Sequence, residues 1–501
     1  MRAQMWNGKW VTKLGAFASA SVLLCSQSAV AEDLLLQNVA IVSPELREPA
    51  RNRHVLIRGE RIVQISAKAL AAPNAKRIDA RGLYLTPGVM DSHVHVSTPP
   101  GLPLGADDPT LVALNAAYVR QQPRSYLYFG VTQVIDLAGV AEGVAAFEAQ
   151  PLRPDLFRCG AAVVLNGYPM ALFDTSVRLR VFPDYVFEPA NAAAHPLPAG
   201  EDPAKHTPEA VVEAIAARGA RCVKVFIEDG FGERSDWPLM STATLKRVQA
   251  AARKHHLLLV AHANAIDMQR MAVALPVDVL AHGLWNWNEY RAKEGVPEAI
   301  AQHLRLIHTR KIGLQPTLRV LPGIADLFRA DTLQDPVYAK VVPPALLAWY
   351  GSEAGQWFKR EMQRDFGGAP DAKIAQVNLS TNDQNMRSVR FLNKLGHPLL
   401  LGSDTPSAPT YGNQPGYDTY REMRSMAQAG VPLRAILEAA TLNNARQFGL
   451  EKDYGTVEAG KIANLLLLKT NPLESVQAWA DIERVILHGR VIERETLAAD
   501  H

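Results

Sequence analysis

Cysteine, net charge and long apolar runs are scarce in this chain of 501 residues, and each absence excludes a class of protein. Three cysteines are too few for a disulfide-based scaffold, so we expect Cys159 and Cys222 to be buried thiols. The 53 Lys and Arg residues nearly balance the 50 Asp and Glu residues, which argues against a nucleic-acid-binding protein. Beyond residue 31 no apolar run resembles a membrane-spanning helix.

The first 31 residues have the pattern of a signal peptide. Arg2, Lys9 and Lys13 precede the apolar stretch 14–24, and the segment Ala29–Ala31 forms a small-x-small cleavage site. These three basic residues account for the whole net charge of +3, so the chain from residue 32 onwards is neutral. We therefore expect an exported protein, periplasmic or secreted. A disordered or membrane-tethering N-terminus is the alternative.

Three regions follow, and two of them are rich in short apolar runs between turns. Residues 32–86 and 450–501 show this strand pattern without a helical period, which predicts one composite β-sandwich domain built from both chain ends. Residues 87–449 alternate eight apolar runs with helical stretches, which predicts an α/β fold, a TIM-like (β/α)8 barrel. The eight runs are 88–96, 131–138, 158–165, 222–227, 257–263, 277–283, 312–318 and 398–404. The alternative is an open doubly wound sheet, but no glycine-rich phosphate loop follows the first run.

Two long insertions interrupt the alternating pattern. Residues 166–206 follow the third run and are rich in proline and aromatic residues, and residues 321–390 follow the seventh. Loops of this length in a compact domain are usually lids or binding loops. We expect both to lie over the carboxyl ends of the strands.

Polar side chains stand at or near the ends of five of the eight apolar runs. They are His93 and His95 in the first run, followed by Lys224, His262, His282 and Asp404 in later runs. Successive side chains of a strand alternate between its two faces, so the two histidines of the first run share one face. The carboxyl ends of barrel strands converge, and a buried lysine or aspartate is costly unless it is paired or bound to metal. The pattern therefore predicts a metal site with imidazole and oxygen ligands.

Several motifs resemble the amidohydrolase superfamily of metal-dependent hydrolases. They are LTPGVMDSHVHV, AHA at 261–263, AHG at 281–283, GSDT at 402–405 and the tail ATLNNARQFGLEKDYGTVEAGKIANLLLL. The resemblance extends over residues 34–493 and is strongest to the imidazolonepropionase-like branch, which includes Xaa-Pro dipeptidases (prolidases) and N-acyl amino acid hydrolases.

The resemblance implies two divalent metal ions. His93, His95 and Asp404 would hold one ion, and His262 and His282 would hold the other. Lys224 would carry a CO₂-derived carbamate that bridges the two, a modification that requires the neutral amine which burial favours. Mixed imidazole and oxygen ligands favour Zn²⁺.

The implied reaction is hydrolysis of an amide or peptide bond in a small substrate, a dipeptide or an N-acyl amino acid. A metal-bridging hydroxide would be the nucleophile, and Asp404 would pass its proton to the leaving amine. Deaminases of the superfamily carry a carboxylate shortly after the fifth-strand histidine, whereas this chain has none between His262 and Asp267. A mononuclear deaminase or cyclic-amide hydrolase is the alternative within enzymes, and a catalytically silent metal-binding protein is the alternative outside them.

Four residues near the predicted strand ends are candidates for substrate binding. Tyr168 and Arg180 lie in the insertion after the third run, Trp285 follows His282, and Tyr411 follows Asp404. An arginine or tyrosine there could hold a substrate carboxylate. The expected partner is a small molecule, with no nucleic acid and no membrane after signal removal, and a homo-oligomer is left open.

Overall fold

The computed structural model describes residues 33–103, 108–231, 235–407 and 409–499. The predicted signal peptide, residues 1–31, lies outside these described residues. The strands among them are β1 (Leu34–Ile41), β2 (Ala50–Arg58), β3 (Arg61–Ser66), β4 (Lys76–Asp79), β5 (Tyr84–Pro87), β6 (Val89–Val94), β7 (Val131–Asp136), β8 (Asp155–Val164), β9 (Tyr185–Val186), β10 (Cys222–Phe226), β11 (Leu258–His262), β12 (Val279–Leu280), β13 (Gly313–Leu314), β14 (Leu465–Leu468), β15 (Ile482–Leu487) and β16 (Arg490–Glu493).

Most of the helices lie between the strands of the central region. They are α1 (Pro109–Tyr128), α2 (Ala141–Glu148), α3 (Thr175–Val181), α4 (Pro208–Ala217), α5 (Thr242–Lys254), α6 (Ile266–Ala274), α7 (Glu298–Thr309), α8 (Val320–Ala325), α9 (Tyr338–Val341), α10 (Pro344–Tyr350), α11 (Trp357–Asp365), α12 (Asp371–Lys394), α13 (Tyr417–Gln428), α14 (Leu433–Glu438) and α15 (Asn444–Gln447). None of the helices in the described ranges is long and apolar enough to cross a membrane.

The two ends of the chain meet in one eight-stranded sheet. Its strand order is β16-β15-β14-β5-β1-β2-β3, with β4 paired to β1. The junction between the two ends is the antiparallel pair β5 and β14, in which Leu85 lies opposite Leu467. Leu36, Val55 and Leu467 belong to the apolar core on this sheet. Neither end of the chain could form this sheet without the other.

The central region forms a curled parallel sheet with the strand order β13-β12-β11-β10-β8-β7-β6, which confirms the predicted α/β class. The predicted eighth strand, 398–404, is not a regular strand. Leu399 bridges Leu314 at one edge of the sheet and Thr405 bridges Val94 at the other. Between these two points Ser92 N–H still donates to the Leu401 carbonyl at 3.0 Å and Asp404 N–H to the His93 carbonyl at 2.7 Å. Asp404 itself adopts a positive φ of 57°, which a regular strand does not allow.

Local capping signals in the sequence fix where several helices begin. Thr207 accepts a hydrogen bond from Ala210 N–H at 3.3 Å, and Pro208 occupies the first turn of α4. Ser241 caps α5 in the same way, through Thr244 N–H at 3.2 Å. These caps satisfy amide groups that have no partner within the helix, so the boundaries follow from residue type alone.

A buried cluster of ions fixes the second insertion to the rest of the fold. Arg319 contacts Asp326 at 2.7 Å and Asp418 at 3.1 Å. Arg421 contacts the same two carboxylates, at 2.9 Å and 2.7 Å. Because Asp326 follows α8 and Asp418 lies in α13, the cluster ties the start of the insertion to a helix that follows the metal-site segment.

The expectation of two free buried thiols is wrong, because Cys159 and Cys222 form a disulfide. They lie in adjacent parallel strands as direct register partners, with Cα atoms 4.5 Å apart. The sequence separates them by 63 residues, and only the lateral register of β8 and β10 brings them together.

Candidate metal centre

The side chains predicted as metal ligands converge at the carboxyl end of the parallel sheet. Asp404 Oδ1 lies 2.9 Å from His93 Nε2 and 3.0 Å from His95 Nε2. Lys224 Nζ lies 3.0 Å from His93 Nε2. The rings of His262 and His282 are 4.6 Å apart, and the His282 ring is 5.0 Å from that of His93. The contacts therefore link all six residues into one cluster.

Three donor atoms of this cluster are close enough together to hold one cation. Ligand atoms of His93, His282 and Asp404 all lie within 4.8 Å of one another, and all three residues are buried. The family resemblance divided these residues differently, with His282 assigned to the second ion. In the structure His282 Nδ1 is 3.9 Å from Asp404 Oδ2. His282 therefore lies beside the expected positions of both metal ions.

The proton on His93 is fixed by its surroundings. Nδ1 lies 2.9 Å from the carbonyl oxygen of Ala281, and a carbonyl can only accept a hydrogen bond. Nδ1 must therefore donate, which leaves the lone pair on Nε2 facing Lys224 and Asp404. Metal-binding histidines in proteins are commonly oriented by such a hydrogen bond to the other ring nitrogen.

Lys224 is almost fully buried, with an exposed fraction of 1%. Burial lowers the pKa of its amine to about 8, while Asp404 and Asp136 oppose the shift. Its hydrogen bond runs to the imidazole of His93 rather than to a carboxylate. A substantial fraction of this lysine is thus neutral near physiological pH, which is unusual for the residue type.

The charges of the other groups suit a cation. Burial opposes ionisation of Asp404, but His93 and His282 hold the pKa of its carboxyl well below the usual range. Burial also lowers the pKa of His93 to about 4 and that of His262 far below its ordinary value. Neutral imidazoles and an ionised carboxylate are the forms that bind metal ions.

Other buried groups hold this cluster in place. Asp91 accepts hydrogen bonds from the backbone N–H of His93 at 3.2 Å and of Ser403 at 3.0 Å. It thereby joins the first strand to the segment that carries Asp404. Thr317 Oγ1 lies 3.1 Å from His282 Nδ1 and orients that ring.

Sequence reasoning missed Glu228 and Asn264. Glu228 is 3% exposed, and its Oε2 lies 3.4 Å from His262 Nε2. Asn264 Nδ2 donates to the same carboxylate oxygen at 3.2 Å and lies 3.1 Å from His262 Nε2. Burial raises the pKa of Glu228 to about 8, and Asp229 and Asp267 add to the shift. The signal was available, since Glu228 stands four residues after Lys224, an even spacing that places both on one side of an extended segment.

Two of the four residues predicted to bind substrate lie beside the cluster. Tyr168 has its ring 4.7 Å from that of His262 and stacks on Trp237. Trp285 has its ring 5.0 Å from that of His282. Both line the broad cleft above the cluster.

The other two are placed differently. Arg180 is exposed and lines the outer part of the cleft. Tyr411 is buried, stacks on Tyr350 and hydrogen-bonds Gln356, so the structure does not bring it to the cluster.

Comparisons with known proteins agree with this geometry. Residues 362–492, which include Asp404, match the model of the amidohydrolase family. The matched stretch begins within α11 and ends within β16, and this part of the chain is similar to the amidohydrolase family.

Individual proteins resemble this chain over short stretches or in their fold. The 5-methylthioadenosine/S-adenosylhomocysteine deaminase of Moorella thermoacetica is 38% identical over 86 residues, covering 14% of this chain and 20% of that protein. The allantoinase of Deinococcus radiodurans is 37% identical over 67 residues, covering 13% of this chain and 14% of that protein. A prolidase solved with N-methylphosphonate-L-proline is 21% identical, with a TM-score of 0.64 over 92% of this chain and 99% of that one. The matches to the curated relatives span a fifth or less of their length.

The residues of this cluster fit divalent metal ions. His93 presents an Nε2 lone pair fixed by its tautomer, and Asp404 presents an ionised carboxylate beside it. The donors combine imidazole nitrogen with carboxylate oxygen, a set typical of Zn²⁺ and related ions.

Proposed function

We propose that this protein is an exported, two-metal hydrolase of the amidohydrolase superfamily that cleaves an amide or peptide bond of a small substrate, a dipeptide or an N-acyl amino acid. The observation that carries the proposal is the buried amine of Lys224, 3.0 Å from His93 Nε2. A lysine that served only solubility would place its charge in water. This one points into a cluster of neutral imidazoles, where an ammonium is disfavoured.

The position of Lys224 is explained if its amine reacts with CO₂. The nitrogen lone pair forms a bond to carbon, one proton is released, and the product is a negatively charged carbamate with two oxygen atoms. Such a group could reach both proposed ligand sets, since Lys224 Nζ lies 3.0 Å from His93 Nε2 and 5.2 Å from the ring of Phe226, the register partner of His262 on β11. The proposal thus requires a CO₂-derived carbamate and two ions, which we expect to be Zn²⁺.

The proposed mechanism divides the work among the residues of the chain. The residues of this centre would hold two divalent ions, and such ions acidify water and polarise a carbonyl group. The residues are His93, His95, Lys224, His262, His282 and Asp404. Asp404 accepts the proton of the attacking water and delivers it to the leaving nitrogen. Its place at the rim of the buried cluster, 6% exposed, gives it access to both.

The architecture belongs to the same proposal. We infer that residues 87–449 form a closed (β/α)8 barrel, and that residues 32–86 and 450–501 form a composite β-sandwich. The bridges of Leu399 to Leu314 and of Thr405 to Val94 support closure.

A second candidate is a mononuclear deaminase or cyclic-amide hydrolase. The curated relatives are named as a deaminase and an allantoinase. In addition, Glu228 supplies from β10 the carboxylate beside His262 that the residues after His262 lack. A deaminase would release ammonia without forming a new carboxylate.

The test is metal analysis of the chain from residue 32, combined with a substrate panel read by mass spectrometry. The panel contains dipeptides, including Xaa-Pro, N-acyl amino acids, cyclic amides and amino-substituted heterocycles. We expect about two ions per chain and hydrolysis that stops when a chelator removes them and returns when Zn²⁺ is restored. Metal without turnover would favour the silent binding protein, and ammonia release would favour the second candidate.

Export is supported by the disulfide as well as by the N-terminal pattern. Disulfides persist in oxidising compartments and are rare in the cytosol. We expect the mature protein to begin at Glu32 and to show no free thiol after denaturation. N-terminal sequencing and thiol titration test both points, and a start at Met1 with two or more titratable thiols would contradict them.

A further inference from the structure

A buried carboxylate and a buried amide beside the metal centre have no role in the proposed proton transfer. Lys224, Phe226 and Glu228 alternate along one strand, so they face the same side of the sheet. The backbone N–H of Ile227 still donates to the His262 carbonyl at 2.9 Å, which keeps Glu228 in register with the end of β11. Asn264 follows His262 at the same spacing of two. Glu228 and Asn264 therefore lie next to each other, just beyond the proposed ligands Lys224 and His262 in the direction of the carboxyl ends of the strands. Both line the cleft.

Glu228 is an acid without a lysine or arginine partner among the described residues. Its carboxyl group contacts the uncharged Asn264 amide at 3.2 Å, His262 Nε2 at 3.4 Å and the backbone N–H of Gly230. Asp229 and Asp267, which also line the cleft, add further negative charge nearby. A buried carboxylate is costly without a cation, and within the described ranges the protein provides none.

The second, independent observation is the unsatisfied oxygen of Asn264. This residue is 5% exposed, and its Nδ2 donates a hydrogen bond to Glu228. Its Oδ1 has no hydrogen-bond partner among the described residues. Burying an acceptor without a donor is unfavourable. The two groups together offer carboxyl and amide oxygens to the cleft, and no lysine or arginine among the described residues pairs with them.

We propose that Glu228 and Asn264 bind the ammonium group of the substrate, an inference that rests on the proposed hydrolase function. The substrates are then dipeptides with a free N-terminus rather than N-acyl amino acids. An ammonium carries one positive charge and three donors, which complements this pair. In a dipeptide the α-nitrogen lies about 2.5 Å from the scissile carbonyl carbon, by standard bond lengths and angles. Glu228 Oε2 is 3.4 Å from His262 Nε2, so an ammonium bound here keeps that carbonyl beside the metal ligands.

The first experiment compares a cleaved dipeptide with its des-amino analogue, in which hydrogen replaces the ammonium group. For wild-type protein we expect kcat/KM to be about 10- to 150-fold lower for the analogue, the range of hydrogen bonds to charged groups. Glu228→Gln should lower kcat/KM for the dipeptide by a similar factor, mainly through KM, and leave the analogue unaffected. Glu142→Gln, which removes an exposed acid from the rim of the same cleft, is the matched control and should change neither.

A second measurement uses wild-type protein and does not depend on turnover or on a variant that folds. Calorimetric titration compares a free amino acid with its des-amino carboxylic acid, and we expect the amino acid to bind at least about tenfold more tightly. Equal hydrolysis of both substrates, equal binding of both ligands, or loss of bound metal in Glu228→Gln would each overturn the inference. Failure of the whole substrate panel would instead contradict the proposed function, and the binding comparison would still decide this inference.

Discussion

At the scale of single residues, the metal centre depends on side chains held in unusual protonation states. A neutral imidazole at His93 and a partly neutral amine at Lys224 are both consequences of burial. An exposed lysine would carry its ordinary positive charge at neutral pH and would repel a cation. The surroundings of each group thus determine its chemistry.

Lys224→Ala is predicted to lose bound metal. Removing the amine removes the proposed bridge, so we expect the metal content to fall by at least half. Short carboxylic acids should restore part of it, because their two oxygens can replace the carbamate. Elemental analysis measures the content, with Lys246→Ala on the exposed face of α5 as control. An unchanged metal content in Lys224→Ala would refute the bridging role.

Asp404→Asn is predicted to retain much of its metal and to lose turnover. The amide still offers an oxygen to the cluster but cannot accept the proton of water, so we expect kcat to fall about 10²- to 10⁴-fold. Steady-state kinetics together with elemental analysis separate the two effects. A wild-type kcat in this variant would show that Asp404 is not the proton carrier.

Carbamate formation on Lys224 is predicted to depend on pH in a characteristic way. Only the neutral amine reacts, and burial lowers the pKa of Lys224 to about 8. At constant dissolved CO₂ the initial rate in metal-free protein should rise about tenfold per pH unit up to about pH 8 and then level off. An ordinary lysine would continue to gain reactivity up to about pH 10.4. Carbon-13 NMR with labelled CO₂ measures the rate, and Lys224→Ala is the blank.

At the scale of secondary-structure elements, the irregular segment after β13 is held by buried ion pairs. Asp418 is fully buried and contacts Arg319 at 3.1 Å and Arg421 at 2.7 Å. Asp418→Asn leaves two buried guanidinium groups with fewer carboxylates, so we expect the free energy of unfolding to fall by about 3–5 kcal/mol. Denaturant titration measures it. Asp331→Asn breaks an exposed pair with Arg329, which solvent screens, and should leave the free energy of unfolding almost unchanged.

At the scale of the whole molecule, the last strands are needed for folding, because one sheet is built from both chain ends. β14 pairs with β5, and Trp479 and Ile482 belong to the large core that also contains residues of the parallel sheet. A chain that ends at residue 464 would expose Leu85 and the neighbouring apolar face. We expect it to be insoluble or unfolded by circular dichroism, whereas a chain that ends at Ala499 should fold. A soluble, cooperatively folded product of the shorter chain would contradict this.

Several features followed from the sequence by itself, because they depend on residue type and short spacing. The caps at Thr207 and Ser241 are such features, as are the shared strand face of His93 and His95 and the α/β class. The meeting of Lys224 with His93 was also predictable, because parallel strands present their carboxyl ends at one edge. The two ends of the chain were likewise recognisable as strand-rich.

Only the tertiary structure decided the features that depend on lateral register and loop path. The pairing of Cys159 with Cys222 and the contact of Glu228 with Asn264 both arise between neighbouring strands, and local pattern does not encode that offset. The positive φ of Asp404 and the bridges of its segment to both edges of the sheet likewise could not be read from local pattern. Sequence specifies which side chains face the cleft, whereas strand-to-strand packing specifies which of them touch.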